Sequence, residues 1–329
     1  MIKKISKKQI LDVVISMLPV IASILIIVVY LYVPNRIQPP TPFVVLEFTY
    51  VWVWFNVAII IAFFAWNIIS IFLKKAQRIL IKVAPFSALV LFLFLLYDIA
   101  VLKLAIMPQP FFPWIDLILN AVILDASTLA SSIASSFGVL FSGYILGSVL
   151  GIIFGLFAGL IARVRYWLKP FARFFSSVPV ITWVPIIIFM PIGGFFTRAM
   201  LLIALAVWVP VFILTTNGVL AIPKSTFESA KTFGIKNFGM LFKVAIPASS
   251  VSIFNGLAAG MGVACTALIV AEMMGAASGI GWYIDMQRGM LNYAAMYGAI
   301  IILSLSFFAV NALLNIGRKF ALKWRGAVE

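Results

Sequence analysis

Residues able to do covalent or proton chemistry are scarce in this chain. Its 329 residues include no histidine and one cysteine, Cys265, and nine Asp and Glu stand against 24 Lys and Arg. Histidine is the side chain that titrates near neutrality and the commonest metal ligand. Its absence removes most hydrolytic and metal chemistry. One cysteine in an apolar run allows no intrachain disulfide and no thiolate cluster. The acidic residues are scattered rather than paired, and no GxxxxGK[ST] phosphate loop occurs, so any ATP must be hydrolysed by another chain. The remaining candidates are charges within apolar stretches, which are costly there and often functional. Glu272, followed directly by GAASG, reads as a gate or helix anchor, with proton coupling as the sharper alternative. Asp98 and Lys103 read as neutralising one another or reaching for the membrane interface.

The elements that carry these residues follow from composition. Hydrophobic residues make up 64% of the chain, charged residues 10%, and mean hydropathy is +1.19. A soluble globule of this size could not hide so much apolar surface. About 20 apolar residues in a helix cross the hydrocarbon core. Eight stretches meet that length: 11–33, 48–73, 83–107, 137–162, 178–196, 199–222, 246–275 and 296–317. All but Arg36, Lys103, Arg198 and Arg288 of the 24 cations fall into five groups of four: Lys3, Lys4, Lys7, Lys8; Lys74, Lys75, Arg78, Lys82; Arg163, Arg165, Lys169, Arg173; Lys224, Lys231, Lys236, Lys243; and Arg318, Lys319, Lys323, Arg325. Placed inside, they predict an all-α, multi-pass membrane protein with both termini on the cytoplasmic side. The same bias accounts for the net charge of +15 without nucleic acid. The character of the spans changes near residue 125, giving three peripheral helices (1–110), an outer connecting segment (111–135) and a functional core (136–325).

Within the core, Gly143, Gly147, Gly151, Gly155 and Gly159 recur every four residues, a stripe suited to close helix packing. Pro179, Pro185 and Pro191 interrupt the fifth span. Each interior proline removes a helical hydrogen bond, and broken helices at membrane depth line substrate pathways. Thr182 and Trp183 are that span's polar handles. Ser252, Asn255 and Thr266 are further candidates for the pathway wall, although such residues also bridge helices.

The basic loop PKSTFESAKTFGIKNFGMLFKVAIP carries the densest signal. Ser225 with Glu228 three residues on has the form of a capping box. Gly234 suits a left-handed residue ending that helix. A second short amphipathic helix is expected next, with Pro247 where the chain re-enters the membrane. Phe227, Phe233, Phe238 and Phe242 would give the hairpin an apolar face, fit for a partner's groove or for lipid headgroups.

The segment Glu228-Ser229-Ala230, with Gly234 six residues after Glu228 and then Ile246-Pro247, resembles the EAA loop of ABC-importer permeases. Ser229 stands where that motif has alanine. The run ALIVAEMMGAASGIGWYI, residues 267–284, is similar to a segment of the nitrate/sulfonate/taurine/bicarbonate-type permeases, and LKPFARFFSSVPVITWVPIIIF resembles their proline-marked counterpart. The likeness covers roughly residues 125–325, whereas the first 110 residues depart from the single leading span usual there. It implies a type I importer permease core, non-catalytic, in the inner membrane of a prokaryote. It also implies a second permease copy, two ATPase subunits that hold ATP and magnesium, and an external substrate-binding protein. This chain itself would hold no cofactor. Ser225, Phe227, Glu228, Ser229, Ala230, Lys231, Phe233, Gly234, Phe238, Phe242 and Pro247 would form the coupling hairpin. The solute implied is a small anion such as nitrate, a sulfonate or bicarbonate, with a thiamine-precursor-like organic as alternative. An ion-coupled carrier using Asp98 or Glu272 is the rival reading.

Overall fold

Backbone N–H and C=O groups in a bilayer must be satisfied within the protein, and only helices or closed barrels achieve this. The computed structural model describes residues 7–36, 48, 50–236 and 238–323, and every regular element among them is helical. Lys3, Lys4 and Arg325 lie outside the described residues. Two units emerge: Met1–Ala126 with Gln287–Gly298, and Ser127–Met286 with Ala299–Glu329.

The first unit packs α1 (Lys7–Tyr32), α2 (Val51–Phe72) and α3 (Lys74–Asp98) with the short α4 (Ile115–Leu124). Trp52 is buried among Ile26, Leu91, Leu95 and Ile115. Polar residues fasten helix ends here. Asp116 accepts the Trp52 N–H at 2.7 Å, capping the start of α2 from α4. One turn on, Asn120 brackets Phe48 by accepting its N–H at 3.0 Å and donating to its carbonyl at 2.8 Å. A π turn, Ile99–Lys103, prolongs α3 and brings Lys103 under the end of α1. There its ammonium donates to the Tyr30 and Val33 carbonyls and to Asn35 Oδ1, at 3.0, 2.6 and 2.7 Å. The expectation that Lys103 snorkels is therefore corrected: Lys103 is buried and its donors close α1. Buried Asp98 accepts no hydrogen bond, and the opposite charges of Asp98 and Lys103 act on one another through space, as the mutual-neutralisation reading expects.

The second unit is built around α8 (Phe195–Leu220). The glycines of α5 (Ala126–Leu160) meet it in constant register: Gly143 faces Ile203, Gly147 faces Val207, Gly151 faces Val211, Gly155 faces Thr215 and Gly159 faces Val219. A Cβ at Gly143, Gly151 or Gly155 would lie 2.7 Å from the facing Cβ, and one at Gly147 would overlap the Ala204 carbonyl. The stripe is thus the seat of one neighbouring helix. Gly256 and Gly260 of α11 (Ile246–Gly275) approach the same Val207 and Val211 of α8.

Numbers rise together along α5 and α8, so the two helices are parallel. The chain between them must recross the membrane. It turns through α6 (Ala162–Ser177), bends by 97°, and recrosses through a 3₁₀ turn (Val180–Trp183) and the five-residue α7 (Val184–Ile188). The expected fifth span is therefore a broken one. Pro179 and Pro185 start its two short helical pieces in place of a continuous helix. Seven helices among the described residues are long and apolar enough to cross a membrane, and the bent pair makes eight. α12 (Ile280–Gly289) and α13 (Tyr293–Ala321) complete the chain.

Candidate functional site: a hairpin, an open helix face and a capped carboxylate

The basic loop forms α9 (Lys224–Thr232), whose start differs from the sequence expectation. Pro223, extended at φ −58 and ψ 140, launches the helix, and no side chain caps it. Ser225 therefore lies inside the first turn and makes no capping box with Glu228. The end of α9 follows expectation. Gly234 has φ +78, its N–H meets the Lys231 carbonyl at 2.9 Å, and the Ile235 N–H reaches Ala230 at 3.0 Å. These two bonds are a Schellman closure, which needs a left-handed residue at this point.

The separate second helix is corrected too. α10 (Phe238–Met240) passes through a π turn, Leu241–Ala245, straight into α11, so residues 238–275 form one element. Pro247 lacks an N–H, and its place in the first turn of α11, just after the π turn, accommodates the lost bond. Phe233, Phe238 and Phe242 are 84%, 72% and 63% exposed, while Phe227 is half-buried and Ala230 is buried against the loop. Glu228, Ser229 and Lys231 are exposed on the same short helix. A turned, rigid knob of this kind, with three bare aromatic rings, presents apolar area that water does not favour.

Further along α11, Ser252, Asn255, Ala259, Gly262 and Thr266 fall within about 80° of arc at 3.6 residues per turn. Asn255, Ala259, Gly262 and Thr266 are exposed, Ser252 is half-buried, and space beside Gly262 is open. The structure thus gathers three of the pathway candidates on one small, partly polar face. Ala259 and Gly262 belong to it and escape a search for polar residues alone; the i, i+4, i+7 recurrence of small residues is the signal that finds them. Beside this face, Val263 joins Ser176, Pro179, Trp183, Ala206 and Val209 around a cavity of about 390 Å³ whose lining is almost wholly apolar. The Trp183 ring lies tilted at 5.0 Å from that of Phe175, and Thr182 is exposed on the same 3₁₀ turn.

Glu272 lies off that face, buried to 1% exposure. Its Oε1 accepts the Ser136 hydroxyl proton at 2.7 Å and its Oε2 accepts the Gly281 N–H at 2.8 Å. Ser136 Oγ in turn accepts the Ile280 N–H at 2.8 Å. Ile280 and Gly281 are the first residues of α12, so side chains from α11 and α5 together cap its N-terminus. Gly279, at φ +115, has no room for a Cβ beside the carboxylate. Ser136 was not singled out from sequence, because its link to Glu272 spans 136 positions.

Comparison with known proteins follows this geometry. A crystal structure of an amino acid ABC transporter with histidines matches with a TM-score of 0.51, at 15% identity, covering 66% of this chain and 99% of that one. At that identity the match establishes the fold. An aliphatic sulfonates transport permease (SsuC) of Bacillus subtilis is 30% identical over 51% of the chain. The taurine transport system permease TauC of Escherichia coli is 26% identical over 50%, and the riboflavin transport system permease RibX of Chloroflexus aurantiacus is 25% identical over 49%. The matched region spans about 60% of the length of each of these relatives. The family model of the binding-protein-dependent transport system inner membrane component matches residues 147–321. Those residues hold α8, the hairpin, α11 and the broken span, and the chain is accordingly a member of that family, a multi-pass permease of the plasma membrane.

Proposed function

We propose that this chain is the pathway-forming subunit of an ATP-driven importer, with its termini on the cytoplasmic side. Two ATPase subunits bind ATP and magnesium and seat the residue 224–242 knob, an external binding protein delivers the solute, and a second copy of the chain closes the pathway. The observation that carries this reading is the knob itself. Its Schellman turn fixes the angle between α9 and the continuous 238–275 element, and three phenylalanines stand bare on it. A rigid lever joined without a break to α11 converts partner movement into displacement of a core helix. The open face of α11 supports the second copy, since a single chain leaves Asn255 and Thr266 uncovered.

For the solute, the reading is a small anion carrying an organic part, such as a sulfonate or taurine, ahead of nitrate or bicarbonate. The apolar cavity beside the open face favours a solute with a hydrocarbon portion. An uncharged or larger organic solute is the second reading, and a riboflavin permease among the relatives supports it. The test is uptake into proteoliposomes holding the chain with its ATPase, with the binding protein and solute supplied on the delivery side. Gly234→Pro cannot adopt φ +78 and lacks the N–H that meets Lys231. ATP-driven uptake is expected to be lost while the ATPase stays folded. Uptake that persists without ATP, or that Gly234→Pro leaves intact, contradicts the reading.

A further inference from the structure

α6 is unlike every other helix of the second unit. Its sixteen residues, ARVRYWLKPFARFFSS, hold four cations and no acidic group. At 3.6 residues per turn they sort into three sectors. Val164, Leu168 and Ala172 form the first, and Ala172 is fully buried in a cluster with Phe212, Trp208 and Ala158. Trp167, Phe171 and Phe174 form the second, and they are 68%, 57% and 56% exposed. Arg165, Lys169 and Arg173, at i, i+4 and i+8, form the third. Arg165 marks where this row begins. Its guanidinium donates to the Ala158 and Gly159 carbonyls, at 3.3 and 3.4 Å, and so sits at the end of the α5 span. Lys169 and Arg173 are exposed, and together with Tyr166 and Phe171 they border an open groove of about 820 Å³.

An exposed aromatic face and a row of cations on opposite flanks of one helix, at the end of a membrane span, match the layering of a bilayer surface. Rings favour the boundary layer, and cations favour the phosphates above it. Clusters of Lys and Arg on such helices recognise anionic lipid. We propose that α6 is an anionic-phospholipid site, in which Lys169 and Arg173 hold the headgroup phosphate and Trp167, Phe171 and Phe174 lie among the acyl chains. The charge of the row selects an anionic occupant, and the rings on the opposite flank select one with a hydrocarbon tail. This site is independent of what the chain transports.

The test is native mass spectrometry of the full chain, with any subunits that co-purify. After delipidation the protein is titrated with dioleoylphosphatidylglycerol or dioleoylphosphatidylcholine. The unsubstituted protein is expected to prefer the anionic lipid. The double substitution Lys169→Gln with Arg173→Gln, which leaves Arg165 on its carbonyls, is expected to reduce that preference by roughly thirty-fold, about fivefold for each charge. Lys169→Arg with Arg173→Lys keeps it. Trp167→Ser with Phe171→Ser weakens both lipids alike. Equal binding of the two lipids by the unsubstituted protein overturns the proposal, as does a preference that survives loss of both charges. Cross-linking of Lys169→Cys to a second copy of the chain in the membrane also overturns it, because α6 is then an interface between copies.

Discussion

Glu272 is a carboxylate within a span, a type that reads as a gate, a helix anchor or a proton site. Both its oxygens are occupied by Ser136 and the start of α12, the contacts of a helix anchor. Glu272→Gln keeps one acceptor and turns an NH₂ group toward either the Gly281 N–H or the Ser136 hydroxyl. A loss of about 1–3 kcal/mol is expected, the cost of an unmet buried hydrogen bond, read as a lowered Tm in detergent. Ser136→Ala is expected to cost a similar amount, because it orphans the Ile280 N–H. Gly279→Ala combines a strained φ with overlap on the carboxylate, so it is expected to be the worst of the three. Full stability of Gly279→Ala would show that the clasp does not hold α12.

At the scale of elements, the packing of α5 on α8 leaves no tolerance at the glycine stripe. Gly147→Ala places a methyl group on the Ala204 carbonyl oxygen and must separate two backbones. Overpacking of this kind costs about 1–3 kcal/mol, expected here as lowered Tm and yield. Gly138→Ala, on the same α5 helix with nothing within 4 Å of the added methyl group, is the matched control and is expected to leave both unchanged. The stripe was legible in the sequence because four-residue spacing is itself the geometry of a helix groove. Gly234 was legible for the same kind of reason, since only a left-handed position explains glycine between two amphipathic runs. Other features depend on distant residues or on competition between signals. Pro223 fixed the start of α9 ahead of Ser225, although Ser225 and Glu228 have the right spacing for a cap. The π turn before α11 leaves no sequence mark beyond Pro247, so one continuous helix looked like two. Lys103 could be paired by sequence with Asp98 five residues away, whereas its carbonyl partners lie on α1 about seventy positions back.

For the whole molecule, hydropathy already required a membrane protein, and the parallel register of α5 and α8 requires the broken span that returns the chain between them. Besides α6, the second unit leaves uncovered the polar face of α11 and the aromatic knob at residues 224–242. Substituting Phe233, Phe238 and Phe242 together by serine removes exposed rather than packed rings, so the fold is expected to persist while ATP-driven transport falls by at least tenfold, about 1.4 kcal/mol of docking energy. Retained transport would move the docking surface elsewhere. The most direct measurement is purification of the tagged chain from its own membrane in mild detergent, followed by mass spectrometry of its companions. An ATP-binding-cassette ATPase in near-equal amount, lost from the triple phenylalanine variant, is the predicted result. A chain that comes out alone, with transport that continues without ATP, contradicts the account.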